Sequence, residues 1–373
     1  MHAHWLDEER RQKPILDVSM GRLVWLEQTH ILDIFKTVPY AMGERDIAWN
    51  LPGKGKAYAD CGLVKVEGCT HAEAHPNGLG FGRKYKRSCA RKVCPECFEA
   101  WASKEGMRAL IRFAGYLSSP NEVQCLIDGL KYEKRKEARS VILNWITGHL
   151  EGVVQFSRVK IKHVVVSPSK ANWHTRNGYA RSRSQAYRVA RSRGIKGGCM
   201  IAHPYRLMCA HCGHKPIPDY KKECPDCGST DFAWYLSPHF HIVGFGWVTS
   251  TKEGYEKDGW VVKNCGIRLS VFMTLQYLLS HAGVSWTHTT TWFGSMAYNK
   301  TPKSAELGRV QEHCPICDRI LEPLVWIGGE DRGPPKLEFC KGDPTLNDFS
   351  FALTDWGRLS AENIKGLMYV CHH

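Results

Sequence analysis

The sequence lacks the features that would mark a membrane or secreted protein. No apolar run reaches the roughly 18 residues that a membrane-spanning helix needs. The first residues, MHAHWLDEERRQK, contain no apolar core of the kind found in secretory signals. We therefore expect a cytoplasmic protein that does not bind membranes. In that compartment the 16 cysteines are better explained as metal ligands and free thiols than as a disulfide framework.

A nucleotide-binding loop is also absent. No segment has the form G-x-x-x-x-G-K-[ST], and Gly53-Lys54-Gly55-Lys56 is too short to enclose a phosphate. The 373 residues are enough for two or three folding units, but none of them carries the signature of a helicase motor. Any unwinding of DNA would therefore depend on another protein.

Acidic residues are missing from one long segment. Between Gly152 and Pro218 there is no Asp or Glu, although this segment holds 13 Lys and Arg and the whole chain has a net charge of +14. A positive segment without acids predicts contact with nucleic acid at the approach to an active site. The Arg-rich run Ala180–Gly194 is predicted to be a helix. The residues that we expect to contact DNA are Arg176, Arg181, Arg183, Arg188, Arg191, Arg193 and Lys196.

Paired cysteines, in contrast, are abundant. In CAHCGHKPIPDYKKECPDCG, eleven residues separate two C-x-x-C pairs. Gly213 and Gly228 follow the pairs and suit the tight turn around a metal ion. Four thiolates at this spacing predict a tetrahedral zinc ribbon. Its ligands would be Cys209, Cys212, Cys224 and Cys227.

Two further cysteine groups lie nearer the ends of the chain. The N-terminal group has the predicted zinc ligands Cys69, Cys89, Cys94 and Cys97, with Cys61 and His71 as alternatives. The C-terminal group has Cys314 and Cys317, with Cys340 as the predicted third ligand and Cys371, His372 and His313 as alternatives. The sequence thus predicts two to three structural zinc ions.

A pair of histidines follows the ribbon directly. In SPHFHIVGFG, His239 and His241 alternate with Phe240 in a β-prone run, so both imidazoles project from one side of a strand and can share a divalent metal. The surrounding elements are predicted in the order strand, helix, strand, histidine strand, helix, strand, with the ribbon at the tip of a hairpin. The second helix, Arg268–Ala282, carries Tyr277 and His281 on one face.

This order resembles the catalytic domain of HUH single-strand endonucleases, in particular the single-tyrosine type of rolling-circle replication initiators and some insertion-sequence transposases. The residues that carry the resemblance are SPHFHIVGFG and QYLLSHAGV, within roughly 158–300. The histidine motif precedes the tyrosine here, as in initiators and transposases and unlike in relaxases. The cysteine segment that ends in CPEC is also similar to replication proteins of archaeal plasmids and viruses.

The resemblance implies a fold and its divisions. We expect an α+β protein with a central antiparallel sheet and helices, of the ferredoxin-like, RNA-recognition type. A zinc ribbon at 208–229 would be inserted in it, and zinc-binding segments would flank it. The expected divisions are an N-terminal segment 1–60, a zinc-binding and helical region 61–150, a nuclease domain 151–305 and a C-terminal zinc-binding region 306–373.

The resemblance also implies a chemistry. His239, His241 and His281 would bind catalytic Mn²⁺ or Mg²⁺, with Asp231 as the alternative third ligand. Tyr277 would attack a phosphate of single-stranded or locally melted DNA, such as an origin hairpin, and form a 5′-phosphotyrosine link that a 3′-OH can reverse. Many initiators have Lys three residues after the tyrosine, whereas this chain has Ser280. Further partners would be the helicase and polymerase of a prokaryotic host that carries the plasmid or virus.

Two other functions fit the same sequence. A transposase with this chemistry would share every site residue and differ only in the DNA on which it acts. A non-catalytic zinc-ribbon protein, in which His239 and His241 are structural, would bind nucleic acid without cutting it. Tyr235 and Tyr298 are the alternative nucleophiles.

Overall fold

The computed structural model describes most of the chain from residue 51 onwards. The described ranges are 51–169, 179–216, 222–248, 251–284, 288–301, 303–328, 335–340 and 342–359, without the side chains of 251–254. Six α-helices occur in these ranges: α1 Phe98–Leu117, α2 Pro120–Glu133, α3 Arg139–Phe156, α4 Tyr179–Ser192, α5 Thr251–Asp258 and α6 Val271–Ser280. The described residues thus form an α+β fold built on two antiparallel sheets.

The strands divide equally between the two sheets. The first sheet has the order β6 (Val261–Ile267), β3 (Lys162–Ser167), β5 (Phe232–Gly246), β4 (Ile195–Cys209) and β7 (Thr290–Gly294). The second sheet has the order β10 (Trp356–Arg358), β8 (Glu322–Trp326), β1 (Val64–Cys69), β2 (Gly80–Lys86) and β9 (Asp348–Phe351). Every pairing is antiparallel, so the first sheet agrees with the central antiparallel sheet that the sequence predicts.

The two faces of the first sheet are covered by different helices. Side chains alternate along a strand, so Phe240 and Ile242 face α4, while Val243 and Phe245 face α1, α3 and α6. Both faces of β5 are therefore buried in apolar cores. His239 and His241 have the same parity as Val243, which places them on the side of α1 and α6.

The strands β4 and β5 form one long hairpin. Their pairing runs from Ile195 opposite Gly246 to Cys209 opposite Phe232, with a register shift between His203 and Tyr205. The chain between Cys209 and Phe232 holds the four ribbon cysteines, so the ribbon occupies the tip of the hairpin. This position agrees with the sequence prediction.

The second sheet combines distant parts of the chain. Its strands β1 and β2 come from the region predicted as 61–150, and β8, β9 and β10 come from the region predicted as 306–373. Val66 pairs with Leu324, so the two regions share hydrogen bonds as well as a core of Val66, Leu324, Phe351 and Trp356. The structure therefore unites two segments that the predicted divisions separate.

Three elements between the ribbon and β7 differ from the sequence expectation. The helix α5 and the edge strand β6 lie between the histidine strand and the tyrosine helix, where the sequence predicted neither. The helix predicted as Arg268–Ala282 is shorter, since it begins at Val271 after the N-cap residue Ser270 and ends at Ser280.

Candidate active site and metal centres

Three histidines converge on the α6 side of the first sheet. His203 of β4 lies directly opposite His239 of β5 in the strand register, and His241 is two residues further along β5. The ring centroids of His203 lie 5.3 Å from His239 and 4.1 Å from His241. One nitrogen of each ring lies within 4.8 Å of the others, so the set could hold a metal ion. We call these three residues the histidine centre.

Hydrogen bonds outside the centre fix two of the rings. His239 donates from Nδ1 to the carbonyl of Ser237 at 2.7 Å, which leaves Nε2 with a free lone pair. His203 donates from Nε2 to the carbonyl of Leu278 at 2.9 Å, and its buried Nδ1 has no hydrogen-bond partner among the described residues. Second-sphere carbonyls of this kind orient metal-binding imidazoles. The unpaired Nδ1 of His203 is the atom that a metal ion would satisfy.

The third ring is held by a chain of hydrogen bonds. Arg268 donates to Nδ1 of His163 at 3.0 Å, and Nε2 of His163 shares a hydrogen bond of 2.6 Å with Nδ1 of His241. His163 and His241 also stack with a centroid separation of 4.9 Å. His163 is thus a fourth buried histidine that positions the centre, and the sequence analysis did not identify it.

The centre favours neutral imidazoles and attracts anions. Burial lowers the pKa of His203, His239 and His241 well below its usual range, and Arg206 acts on His239 in the same direction. Burial, with the nearby Arg268, lowers the pKa of His163 to about 3. Neutral imidazole is the form that binds metals. The charged side chains that act on His239 and His163 are the cations Arg206, Arg268 and Lys263, so these sides of the centre suit a phosphate.

The helix α6 brings Tyr277 close to the centre. The ring of His281 lies between the two, with centroids 4.9 Å from Tyr277 and 4.2 Å from His203. The start of α6 is fixed by Glu151 of α3, whose carboxylate accepts from the backbone N–H groups of Val271 and Phe272 at 3.1 and 2.6 Å. A carboxylate at a helix N-terminus satisfies donors that would otherwise lack partners.

The predicted third ligand differs from the one that the structure brings to the centre. His203 takes that position, while His281 contacts both His203 and Tyr277 and is not one of the three converging residues. His281 is the C-cap of α6, and its Nδ1 lies 3.2 Å from Oγ of Ser280. Asp231, the alternative, is excluded by distance because it lies beyond the far end of β5, eight residues or about 26 Å of strand from His239.

The ribbon cysteines meet as the sequence predicts. Sγ of Cys209 lies 3.5 Å from that of Cys227, and Sγ of Cys212 lies 3.5 Å from that of Cys224. Gly213 and Gly228 have φ values of 75° and 70°, a left-handed conformation that glycine adopts without strain. The four thiols could hold a zinc ion.

The N-terminal cysteine cluster contains Cys61 in place of the predicted Cys69. The four residues that converge are Cys61, Cys89, Cys94 and Cys97. The backbone N–H of Cys89 donates to Sγ of Cys97 at 3.3 Å, a contact that also stabilises zinc-bound thiolates. Cys97 is the N-cap of α1, so a zinc ion here would fix the start of that helix. Cys69 lies elsewhere because it is the last residue of β1.

A third cluster joins two segments that are far apart in the sequence, and we call it the bridging cluster. Its members are Cys69, His75, Cys314 and Cys317. Nε2 of His75 lies 3.3 Å from Sγ of both Cys314 and Cys317, and its Nδ1 donates to the carbonyl of Leu79 at 2.7 Å. The four atoms could hold a zinc ion of the Cys₃His type.

The other residues predicted for this cluster do not join it. The backbone N–H of Cys340 donates to Oδ1 of Asn347, and the carbonyl of Cys340 accepts from Nδ2 of Asn347, both at 2.9 Å. Cys340 is not among the converging residues. His313 donates from Nδ1 to the carbonyl of Asp318 at 2.7 Å. Cys371 and His372 lie outside the described residues. His75, which sequence reasoning missed, carries no spacing signal, since its partners Cys314 and Cys317 are more than 200 positions away.

The basic helix lies on the opposite face of the sheet from the histidine centre. Its apolar residues pack against Phe240 and Met200, whose side chains point away from the centre. The residues Arg181, Arg188, Arg191 and Lys196 are exposed, and Arg183 is half-buried over the ring of Tyr179. Arg193 is 5 % exposed and pairs with Asp258 at 2.7 Å, so it supports the fold instead of facing a ligand. Arg176 lies outside the described residues.

Comparison with protein families, characterised proteins and solved structures finds no significant match to this chain. None of the helices in the described ranges has the length and apolar composition that crossing a bilayer requires.

Proposed function

We propose that the protein is a metal-dependent, single-tyrosine endonuclease of the HUH type that nicks and rejoins single-stranded DNA during replication initiation. The observation that carries the proposal is the convergence of His203, His239 and His241 beside the helix that bears Tyr277. The position of the histidine strand at the middle of a five-stranded antiparallel sheet supports the ferredoxin-like assignment.

The donor set fits a catalytic metal ion. Three neutral imidazoles without a carboxylate leave open coordination positions for a substrate. Of the two ions predicted from the sequence, Mn²⁺ suits these ligands better, because Mg²⁺ prefers oxygen donors and retains its waters. When bound there, the ion would supply Lewis-acid polarisation of the scissile phosphate.

The protein groups around the centre have distinct tasks in this reaction. Tyr277 attacks the phosphorus through its phenolic oxygen and loses the phenolic proton. The bond between phosphorus and the 3′ oxygen breaks, and that oxygen takes up one proton and leaves as a 3′-OH, so the number of protons is conserved. The guanidinium groups of Arg206 and Arg268 favour the negative charge of the phosphate beside His239 and His163. The phosphotyrosine retains the energy of the broken bond, so attack by a 3′-OH can rejoin the strand.

The test is the formation of a covalent protein–DNA adduct. The zinc-loaded protein is mixed with Mn²⁺ and labelled single-stranded oligonucleotides, with and without a hairpin, and the products are separated under denaturing conditions. We expect an adduct that Tyr277→Phe abolishes and that the control Tyr235→Phe retains, since Tyr235 lies on the same strand as His239 but in the outer part of the hairpin.

The outcomes separate the proposed function from its alternatives. An adduct that survives Tyr277→Phe and is lost in Tyr235→Phe would reassign the nucleophile. DNA binding that needs no metal and yields no adduct on any substrate would favour a non-catalytic zinc-ribbon protein. Cleavage restricted to the ends of a mobile element would favour a transposase over a replication initiator.

A further inference from the structure

The histidine side of the first sheet carries a cavity that the chemistry above does not use. Its volume is about 870 Å³, and it lies between α1 and β7, with Tyr298 and residues 304–308 as the third wall. This volume falls within the roughly 300–1,000 Å³ of typical ligand-binding pockets. We call it the α1–β7 groove.

A row of cations follows the wall of the groove that α1 forms. Lys104, Arg108 and Arg112 recur every four residues, so they lie on one face of the helix and extend over about 12 Å. Arg108 pairs with Glu105 at 2.5 Å and remains 61 % exposed. A row of cations of this length can contact successive phosphates of an extended phosphodiester backbone. A single phosphate would contact only one end of the row.

Aromatic rings accompany the cations. The guanidinium of Arg112 lies 4.8 Å from the ring centroids of both Trp292 and Tyr298. Trp101 lines the same groove. Cations interleaved with aromatic rings form the surface on which single-stranded nucleic acids stack their bases.

Three polar atoms in the groove residues lack hydrogen-bond partners among the described residues. They are Nε of Arg112 and the Oγ1 atoms of Thr289 and Thr290, and Thr289 is only 7 % exposed. Buried polar atoms in folded proteins are nearly always paired. A polar ligand would satisfy them, and the edges of bases and the oxygens of phosphates offer suitable partners.

The groove leads to the histidine centre. Thr290 at the start of β7 pairs with Ile201 of β4, and His203 is two residues further along that strand, about 7 Å away. On the other wall, Ser103 of α1 accepts a hydrogen bond from Gln276 at 2.7 Å, and Gln276 is the residue before Tyr277. Both walls of the groove thus continue into the elements that carry the proposed site.

We infer that the α1–β7 groove binds the single-stranded DNA next to the scissile phosphate. Bases stack on Trp292 and Tyr298, and backbone phosphates contact Lys104 and Arg108. The identity of the ligand as DNA rests on the proposed function. The basic helix α4 covers the other face of the sheet, so it does not contribute to this groove.

The test measures binding without turnover. The full-length, zinc-loaded Tyr277→Phe protein is titrated against a labelled oligothymidylate at several salt concentrations. Tyr298→Ala and Arg108→Ala change side chains that are largely exposed, so folding is preserved. We expect Tyr298→Ala to weaken binding about tenfold through lost stacking. We expect Arg108→Ala to reduce the slope of log K against log salt by about 0.7 through one lost phosphate contact.

Matched controls lie at the opposite edge of the sheet. Tyr255→Ala and Lys257→Ala change exposed residues of α5, which packs beside β6, and should leave binding unchanged. Unchanged binding in both groove variants, or an equal loss in the controls, would overturn the inference. If an adduct forms while groove variants bind normally, the groove fails and the proposed function stands. If groove variants lose binding and no adduct ever forms on any substrate, the groove stands as a binding site and the proposed function fails.

Discussion

Removal of His75 tests whether the bridging cluster binds zinc. His75 is 4 % exposed, Cys69 2 % and Cys314 0 %, so these side chains are shielded from water. The site lies where the segment that contains β1 meets the segment that contains β8. We expect the wild-type protein to contain three structural zinc ions and His75→Ala to contain two. Loss of the hydrogen bond to Leu79 alone would cost about 1 kcal/mol.

The larger effect comes from the lost link between distant segments. Sγ of Cys317 and Nε2 of His75 are 242 positions apart in sequence. A cross-link that closes a loop of this size stabilises the fold by about 5 kcal/mol on chain-entropy grounds. We therefore expect the second sheet, which contains β1 and β8, to exchange amide hydrogens much faster in His75→Ala while the first sheet stays protected.

The assay is zinc quantification on the purified full-length protein, followed by hydrogen exchange. His71→Ala is the matched control because His71 is a nearby histidine outside the bridging cluster. His75→Cys should restore the third zinc, since a thiolate can replace the imidazole. Three zinc ions retained in His75→Ala, or the third lost in His71→Ala, would refute the assignment.

Three further predictions follow from single contacts. His203→Ala should reduce Mn²⁺ affinity and strand cleavage by about 100-fold or more, as measured by calorimetry and adduct yield; full cleavage would exclude His203 as a ligand. Glu151→Ala should lower the free energy of unfolding by about 2–4 kcal/mol in urea denaturation, because it leaves the N-terminus of α6 without its acceptor; a change below about 0.5 kcal/mol would contradict this. Arg193→Ala should lower the melting temperature, whereas the exposed Arg188→Ala should not; equal melting temperatures would show that the pair with Asp258 contributes nothing.

The ribbon and the hairpin could be predicted from the sequence because their information is local. Two knuckles eleven residues apart specify both a metal site and a chain reversal, so the strands on either side must pair. Given that pairing, His203 could have been identified by counting back along β4 from Cys209 to the position opposite His239. The register shift between His203 and Tyr205 shortens this count along β4 by one residue, because the extra residue lies on β5, and the sequence carries no marker for it.

The bridging cluster could not be predicted for a different reason. Cys69 precedes the CPEC knuckle and appeared to belong to it, while the pair Cys314 and Cys317 had no second pair of cysteines nearby in the sequence. Only the pairing of β1 with β8 brings their sulfur atoms to 3.5 Å. Such non-local pairing leaves no periodicity or spacing in the sequence. Assignment by proximity along the chain therefore placed Cys69 in the N-terminal cluster, where the structure has Cys61.

The basic helix α4 shows how proximity along the chain also misplaces charge. Because α4 connects β3 to β4, it must cover one face of the sheet, and its apolar stripe packs on the face that carries Phe240. Alternation along β5 then requires His239 and His241 to face the other side. The exposed arginines of α4 and the cations of the α1–β7 groove are therefore separate surfaces, and only the second continues into the histidine centre. Comparing Arg188→Ala with Arg108→Ala in the same oligothymidylate titration separates their contributions: a loss of binding confined to Arg188→Ala would mean that the strand approaches across the far face, against the geometry of the sheet.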